Sequence, residues 1–168
     1  MDTGNAIGMV ETYLPQHIIA IRLLIAALLG AMIGFERQWH TAEAGLRTHI
    51  LVAVAAALFT ILAFEIYHTL PSDGQGRADP IRAVEAVTAG IAFLGAGAIF
   101  RRGAGVQGLT TGAGMWLSGA VGMATALGYY VIAVGVGVLA VLVLAALRVV
   151  SHRLISSDDE AVETLEER

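Results

Sequence analysis

At 168 residues the chain is 57% hydrophobic and 14% charged, with a mean hydropathy of +0.73, which leaves too little polar surface for a water-soluble domain of this size. It contains no cysteine, which excludes a disulfide framework, a thiol nucleophile and a cysteine-based metal site. The net charge of −4 is concentrated at the end, where Asp158, Asp159, Glu160, Glu163, Glu166 and Glu167 gather; the rest is slightly basic, and every basic residue is arginine.

The chain begins Met1-Asp2-Thr3-Gly4 with no basic region. A cleaved signal peptide is therefore not expected, and the first apolar segment reads as a retained anchor. Crossing a hydrocarbon core of about 30 Å takes roughly 20 mostly apolar residues. The runs Leu23 to Phe35, Ile50 to Phe64 and Ala86 to Phe100 are each short of that, and each is bounded by charge. They can cross if their terminal charges lie within the membrane boundary. The spans are then expected at 17–38, 46–68 and 80–101, with Pro15 and Pro80 at helix entry points. The polar stretch Pro71 to Asp79 is a loop.

From Gly103 to Leu147 no residue is charged. That run holds two further spans, at 110–127 and 130–150, joined by a tight turn at Leu127-Gly128-Tyr129-Tyr130. The expected fold class is all-α: a polytopic membrane protein built as a bundle of five transmembrane helices. The membrane domain is expected over residues 1–152 and an acidic cytoplasmic tail over 153–168. A soluble bundle would need a polar outer face, which the 103–147 stretch does not supply.

An odd number of spans puts the termini on opposite sides. Arg37, Arg47, Arg101, Arg102, Arg148 and Arg153 fall on one side, and Arg77, Arg22 and Arg82 on the other. The positive-inside rule places the first set in the cytoplasm and the N-terminus outside.

Charge depth suggests pairs. Arg22 and Glu85 each lie about five residues inside an outer helix end, so they are expected to meet as an intramembrane ion pair, with Arg82 competing one turn from Glu85. Snorkelling of Arg22 to the outer headgroups is the bland alternative. On the cytoplasmic side Glu36, Arg37, Arg47, Thr48, Arg101, Arg102, Thr110 and Thr111 form the candidate contact surface, with Thr110 or Thr111 expected to cap the fourth helix. Several arginines beside a helix N-terminus favour anions.

Other motifs point to packing. Gly30-Ala-Met-Ile-Gly34 is a GxxxG, and glycines stud the third and fourth spans. Small residues let helices approach closely within the bundle, and a face left over would serve a homodimer. Gly103-Ala-Gly105-Val-Gln-Gly108 matches GxGxxG but follows an apolar helix rather than a strand, so it lacks a dinucleotide-binding context. His40 and His49 are spaced too widely for a one-face ligand pair. No catalytic grouping is present, and neither a cofactor nor a nucleic acid is expected; a metal site is left open. The expected partners are the bilayer and another membrane protein.

Four blocks carry a family resemblance: Leu28-Leu-Gly-Ala-Met-Ile-Gly-Phe-Glu-Arg37, Ala44-Gly-Leu-Arg-Thr-His49, Gly90-Ile-Ala-Phe-Leu-Gly-Ala-Gly-Ala-Ile99 and Gly108-Leu-Thr-Thr111. In order and spacing they resemble the MgtC/SapB family of bacterial membrane proteins, with Ala92 where the family block usually reads Gly. The resemblance implies a multi-pass inner-membrane protein linked to magnesium homeostasis and, in pathogens, virulence. Many members carry a soluble C-terminal domain after the spans, and this chain reads as a short form without it. Mg²⁺ keeps its waters and favours carboxylates, yet Glu36 and Glu85 are expected near opposite faces, each beside arginine. The reading is therefore a non-enzymatic modulator of ion homeostasis or of other membrane machinery; the alternative is a cation or proton transporter using Glu85 and Glu36.

Overall fold

The computed structural model describes residues 12–38, 44–69, 79–102 and 105–146, the Arg102 side chain excepted. The acidic tail, the end of the expected fifth span, His40 and most of the 71–79 loop lie outside the described residues.

The chain is predominantly helical. Helices α1 (Gln16–Gln38), α2 (Leu46–Thr69) and α3 (Pro80–Gly97) are followed by strands β1 (Phe100–Arg102) and β2 (Gly105–Gln107), then by α4 (Leu109–Ala126) and α5 (Tyr130–Ala146). Among the described residues α1 and α2 are the two helices long and apolar enough to cross a membrane.

The hairpin adds two short strands to the expected helices and corrects the end of the third span. The third helix, expected to run to 101, ends at Gly97, and β1 then pairs antiparallel with β2, Arg101 opposite Val106. The reason is local: glycines at 95, 97, 103, 105 and 108 weaken helix, while Ile99, Phe100 and Val106 favour strand. Gly108 then caps α4 in the left-handed conformation at φ 84° with no side-chain cap bond. A Cβ there would collide with the Ala98 carbonyl, so only glycine closes the base of the hairpin. Thr110 and Thr111 lie inside the first turn and do not cap it. By contrast α3 is capped by Asp79, which accepts from the Ile81 amide at 2.9 Å, with Pro80 behind it.

Successive helices run in opposite directions. α1 packs on α2 and α4, while α3 packs on α4 and α2. α5 joins the cluster of Leu29, Ile33 and Val121 through Ala133 and Ala140. Glycine sets the helix spacing. Gly30 and Gly34 of the GxxxG pass against α2: a Cβ on Gly34 would lie 2.8 Å from the Leu46 Cα, and one on Gly30 would lie 2.7 Å from the His49 carbonyl. Gly122 closes on the Ala53 backbone, and Gly95 and Gly112 face each other between α3 and α4. These are internal contacts of the close-approach kind that small residues permit.

Candidate functional site

Two ends of the bundle can be distinguished by the arginine that α1 contributes to each. At the Arg37 end, α1 and α3 finish and α2 and α4 begin. At the Arg22 end, α1 begins while α2 and α4 finish.

At the Arg37 end, the guanidinium donates through Nη2 to Thr111 Oγ1 at 3.0 Å, joining α1 to the first turn of α4. Glu36, its neighbour, holds both carboxylate oxygens away from solvent. Gln38 Oε1 accepts from the Leu46 amide at 3.1 Å and so serves as a cap for α2. Three residues into α2, His49 is fully buried. Its Nδ1 lies 2.8 Å from the Gly45 carbonyl. A carbonyl only accepts, so Nδ1 carries the proton, and in the neutral ring Nε2 keeps its lone pair. Nε2 faces α4, where a Cβ on Gly114 would lie 3.0 Å away. Gly34 holds the other side of the ring at its Cβ.

Below His49 the α2–α4 interface is lined by small polar groups. Thr111, Ser118 and Thr125 are all buried and recur every seven residues, so they share one face of α4. Thr125 and Thr60 return their hydroxyls to the carbonyls of Val121 and Ala56 at 2.8 and 2.7 Å. Ser118 Oγ and His49 Nε2 are buried and bond no other group among the described residues. Gly114 meets His49 and Gly122 meets Ala53, so Ser118, midway between them, lies opposite the His49–Ala53 turn of α2.

At the Arg22 end the polar contacts are caps. The final carbonyls of α4 are accounted for in turn. Met123 accepts from Leu127 N at 3.1 Å, Thr125 from Gly128 N at 3.0 Å and Ala124 from Tyr129 N at 2.9 Å. This is a Schellman arrangement around Gly128 in the left-handed conformation. The Ala126 carbonyl is left over, and Arg22 Nη1 donates to it. Arg22 thus turns to α4 rather than to Glu85. The reason is packing order: α3 lies against α2 and α4, and both Glu85 and Arg82 on it are exposed. Nearby, Glu65 near the end of α2 accepts from the amides of Tyr13 and Leu14 at 2.7 and 2.9 Å. Tyr13 also stacks on His68 with centroids 3.7 Å apart. The segment ahead of α1 is thereby clamped to α2.

Of the residues singled out in the sequence, the structure bonds Arg37 to Thr111, and Glu36 lines a cavity with Leu28, Phe35, Leu46 and Val141. Thr48 lines a cavity with Ala44, Leu94, Gly97, Ala98, Phe100 and Met115. Arg47, Arg101 and Thr110 are exposed at the same end. The Arg102 side chain lies outside the described set. Sequence reasoning missed the burial of His49, the capping by Gln38 and Glu65, and the seven-residue polar seam of α4. Among the described residues no three His, Asp or Glu side chains gather in a metal-binding group.

Apolar helices drawn together by glycine, with arginines fastening α1 to both ends of α4, define a helical protein of membrane-capable composition. Residues 23–153 match the family model described as the MgtC family, and the chain belongs to that family. Among curated relatives, the "Putative magnesium transporter YhiD" of Escherichia coli (strain K12) is 37% identical over 139 residues, covering 82% of this chain and 64% of that protein. Protein MgtC of Salmonella typhimurium (strain LT2) is 44% identical over 110 residues, 66% of this chain and 44% of that protein. Protein MgtC of Brucella abortus (strain 2308) is 46% identical over 98 residues, 58% of this chain and 38% of that protein. The chain therefore spans less than two thirds of the length of these relatives. No solved structure matches it.

Proposed function

We propose that this MgtC-family chain is a multi-span protein of the bacterial inner membrane that acts in magnesium homeostasis by modulating other membrane machinery, without itself conducting the ion or catalysing a reaction. All five helices would cross the bilayer, with the Arg37 end in the cytoplasm, as the positive-inside rule favours. The family membership and the magnesium named in the YhiD relative support the physiological setting.

The observation that carries the modulator reading is the closure of the α1–α4 seam. Arg37 lies at one end and Arg22 at the other, each bonded to α4. A dication entering along this seam would meet a guanidinium at either mouth, and like charges repel strongly where water is scarce. The acids support the same reading by their separation: Glu36 is at the Arg37 end, Glu65 is engaged by two amides and Glu85 is exposed on α3. A partner would bind at the Arg37 end, through Arg47, Arg101 and Thr110, with Arg37 and Thr111 fixing the geometry beneath.

The alternative, a cation or proton transporter, draws on the name of the YhiD relative and on the buried polar groups of α4. Reconstitution in liposomes loaded with a Mg²⁺-sensitive or pH-sensitive dye separates the two. The modulator reading expects dye signals equal to those of protein-free liposomes, and capture of a membrane partner that Arg47→Ala abolishes. Flux that Glu36→Gln or Glu85→Gln removes would establish transport instead.

A further inference from the structure

We propose that the seam between α2 and α3 is a phospholipid site: an acyl chain lies along it and an anionic headgroup sits at its Arg37-end mouth. This rests on the membrane placement proposed above. Two adjoining cavities share Leu94. The first, about 640 Å³, runs along α2 from Val52 to Ile66 and along α3 from Ala83 to Leu94, and every lining residue is apolar. The second, about 530 Å³, continues past Leu94 to Thr48 at the start of α2 and Phe100 on β1. From Thr48 to Ile66 the groove follows α2 for roughly 27 Å at 1.5 Å per residue. One leaflet contributes about half of a 30 Å hydrocarbon core, so a whole acyl chain fits along the groove.

The glycines of α3 differ in what they touch. Gly95 closes on the backbone of Gly112, as expected of a glycine that brings two helices together. Gly90 and Gly97 line the first and second cavities, and a Cβ on either would meet nothing within 4 Å. Glycine weakens a helix interior. At these two positions no described helix takes up the space; what they do is deepen the groove.

Charge selects the headgroup. Arg101 directly follows Phe100 and Arg47 directly precedes Thr48, so two exposed arginines are next in sequence to mouth-lining residues at this end. Among the described residues no acid lines the mouth, and Thr48 adds a hydroxyl. At the other end of the groove Arg82 and Glu85 are both exposed and offset each other. The basic mouth therefore sets which way the lipid lies.

The experiment is native mass spectrometry of the full chain in detergent with phosphatidylglycerol or phosphatidylcholine of identical acyl composition, alongside its oligomeric state by light scattering. A basic residue near a membrane surface favours an anionic lipid about fivefold. Wild type is expected to retain phosphatidylglycerol at least fivefold more than phosphatidylcholine, and Arg101→Ala to reduce that ratio about fivefold. Gly90→Phe and Gly97→Phe fill open space, so the fold is expected to survive while retention of both lipids falls. Ala55→Phe, on the opposite wall, checks the result with a variant that leaves α3 untouched. Retention unchanged by all three fillings, or a lipid ratio indifferent to Arg101→Ala, would overturn the proposal. So would a wild-type dimer that the fillings dissociate without loss of lipid, since the occupant would then be a second copy. Membrane fractionation keeps the two readings apart: protein in the membrane fraction without lipid retention defeats this site alone, and protein absent from that fraction defeats the membrane placement.

Discussion

Arginine from α1 fastens both ends of α4, but against opposite poles of the helix. Arg22 donates to the terminal carbonyl of Ala126, where a cation meets the negative end of the helix dipole. Arg37 bonds Thr111 in the first turn, where the dipole opposes it. The Arg22 end is a completed cap in which each of the last four carbonyls of α4 has a donor. The Arg37 end places a cation against the local field, held among the described residues by one hydroxyl, with the Glu36 carboxylate adjacent in sequence. Local rules are satisfied where the protein only needs to be stable and are strained where a site is positioned. The contrast supports the proposal that the Arg37 end is the working end.

Both ends hang on α4, so the largest effect comes from prising α4 off α2. Gly122→Leu would drive a side chain into the Ala53 backbone; overpacking of this kind costs about 3 kcal/mol or more. Thermal unfolding in detergent should show a large drop in Tm, while Gly135→Leu, which meets nothing within 4 Å, should stay within about 0.5 kcal/mol of wild type. Next comes the Arg22 end. Arg22→Leu removes the donor to Ala126 and should cost about 2 kcal/mol, within the usual range for an orphaned buried carbonyl. Arg22→Lys should recover part of that. Because Arg22 turns to α4, its loss should add to that of Glu85→Leu within about 0.5 kcal/mol. Strong non-additivity would restore the ion pair that depth alone suggests.

The Arg37 end should respond more weakly in stability. Thr111→Val is expected to cost about 1 kcal/mol, with a coupling to Arg37→Leu of at least about 0.5 kcal/mol in a double-mutant cycle. A zero coupling would remove the contact on which the site is built. The smallest effect is expected at Glu65→Gln, about 0.5 kcal/mol from weaker acceptance of the Tyr13 and Leu14 amides. Limited proteolysis ahead of α1 should report it directly.

The sequence announces its helices well because apolar runs with charged ends are hard to read otherwise. It also announces the GxxxG, which lies inside the bundle at Gly30 and Gly34. It hides the hairpin, since three-residue strands between glycines carry no period of their own. It misleads on Arg22: depth along a helix is readable, but which neighbour the residue faces depends on the packing order of α3. Arg37 and Thr111 were legible as members of one surface because topology brings those helix ends together. Their bond was not, since it depends on α4 starting at Gly108. The sequence sets His49 aside only as too far from His40 for a one-face ligand pair, although Gly34, Gly45 and Gly114 are all visible there. Only the packing of α1 and α4 on α2 shows that Gly34 and Gly114 leave room beside His49 while the Gly45 carbonyl accepts from its Nδ1.

Because the chain has no native cysteine, the buried polar face of α4 that runs between its two arginine contacts can be probed one position at a time. Ser118→Cys and Thr125→Cys replace buried residues with near-isosteres, and Arg101→Cys places a thiol on the exposed hairpin. The decisive measurement is labelling of these variants in liposomes by a small membrane-impermeant thiol reagent supplied from each side in turn. The account predicts that Arg101→Cys reacts from one side, while Ser118→Cys and Thr125→Cys react from neither until the protein is denatured. Labelling of Ser118→Cys in the folded protein would reveal a water path between Arg37 and Arg22 and contradict the closed seam.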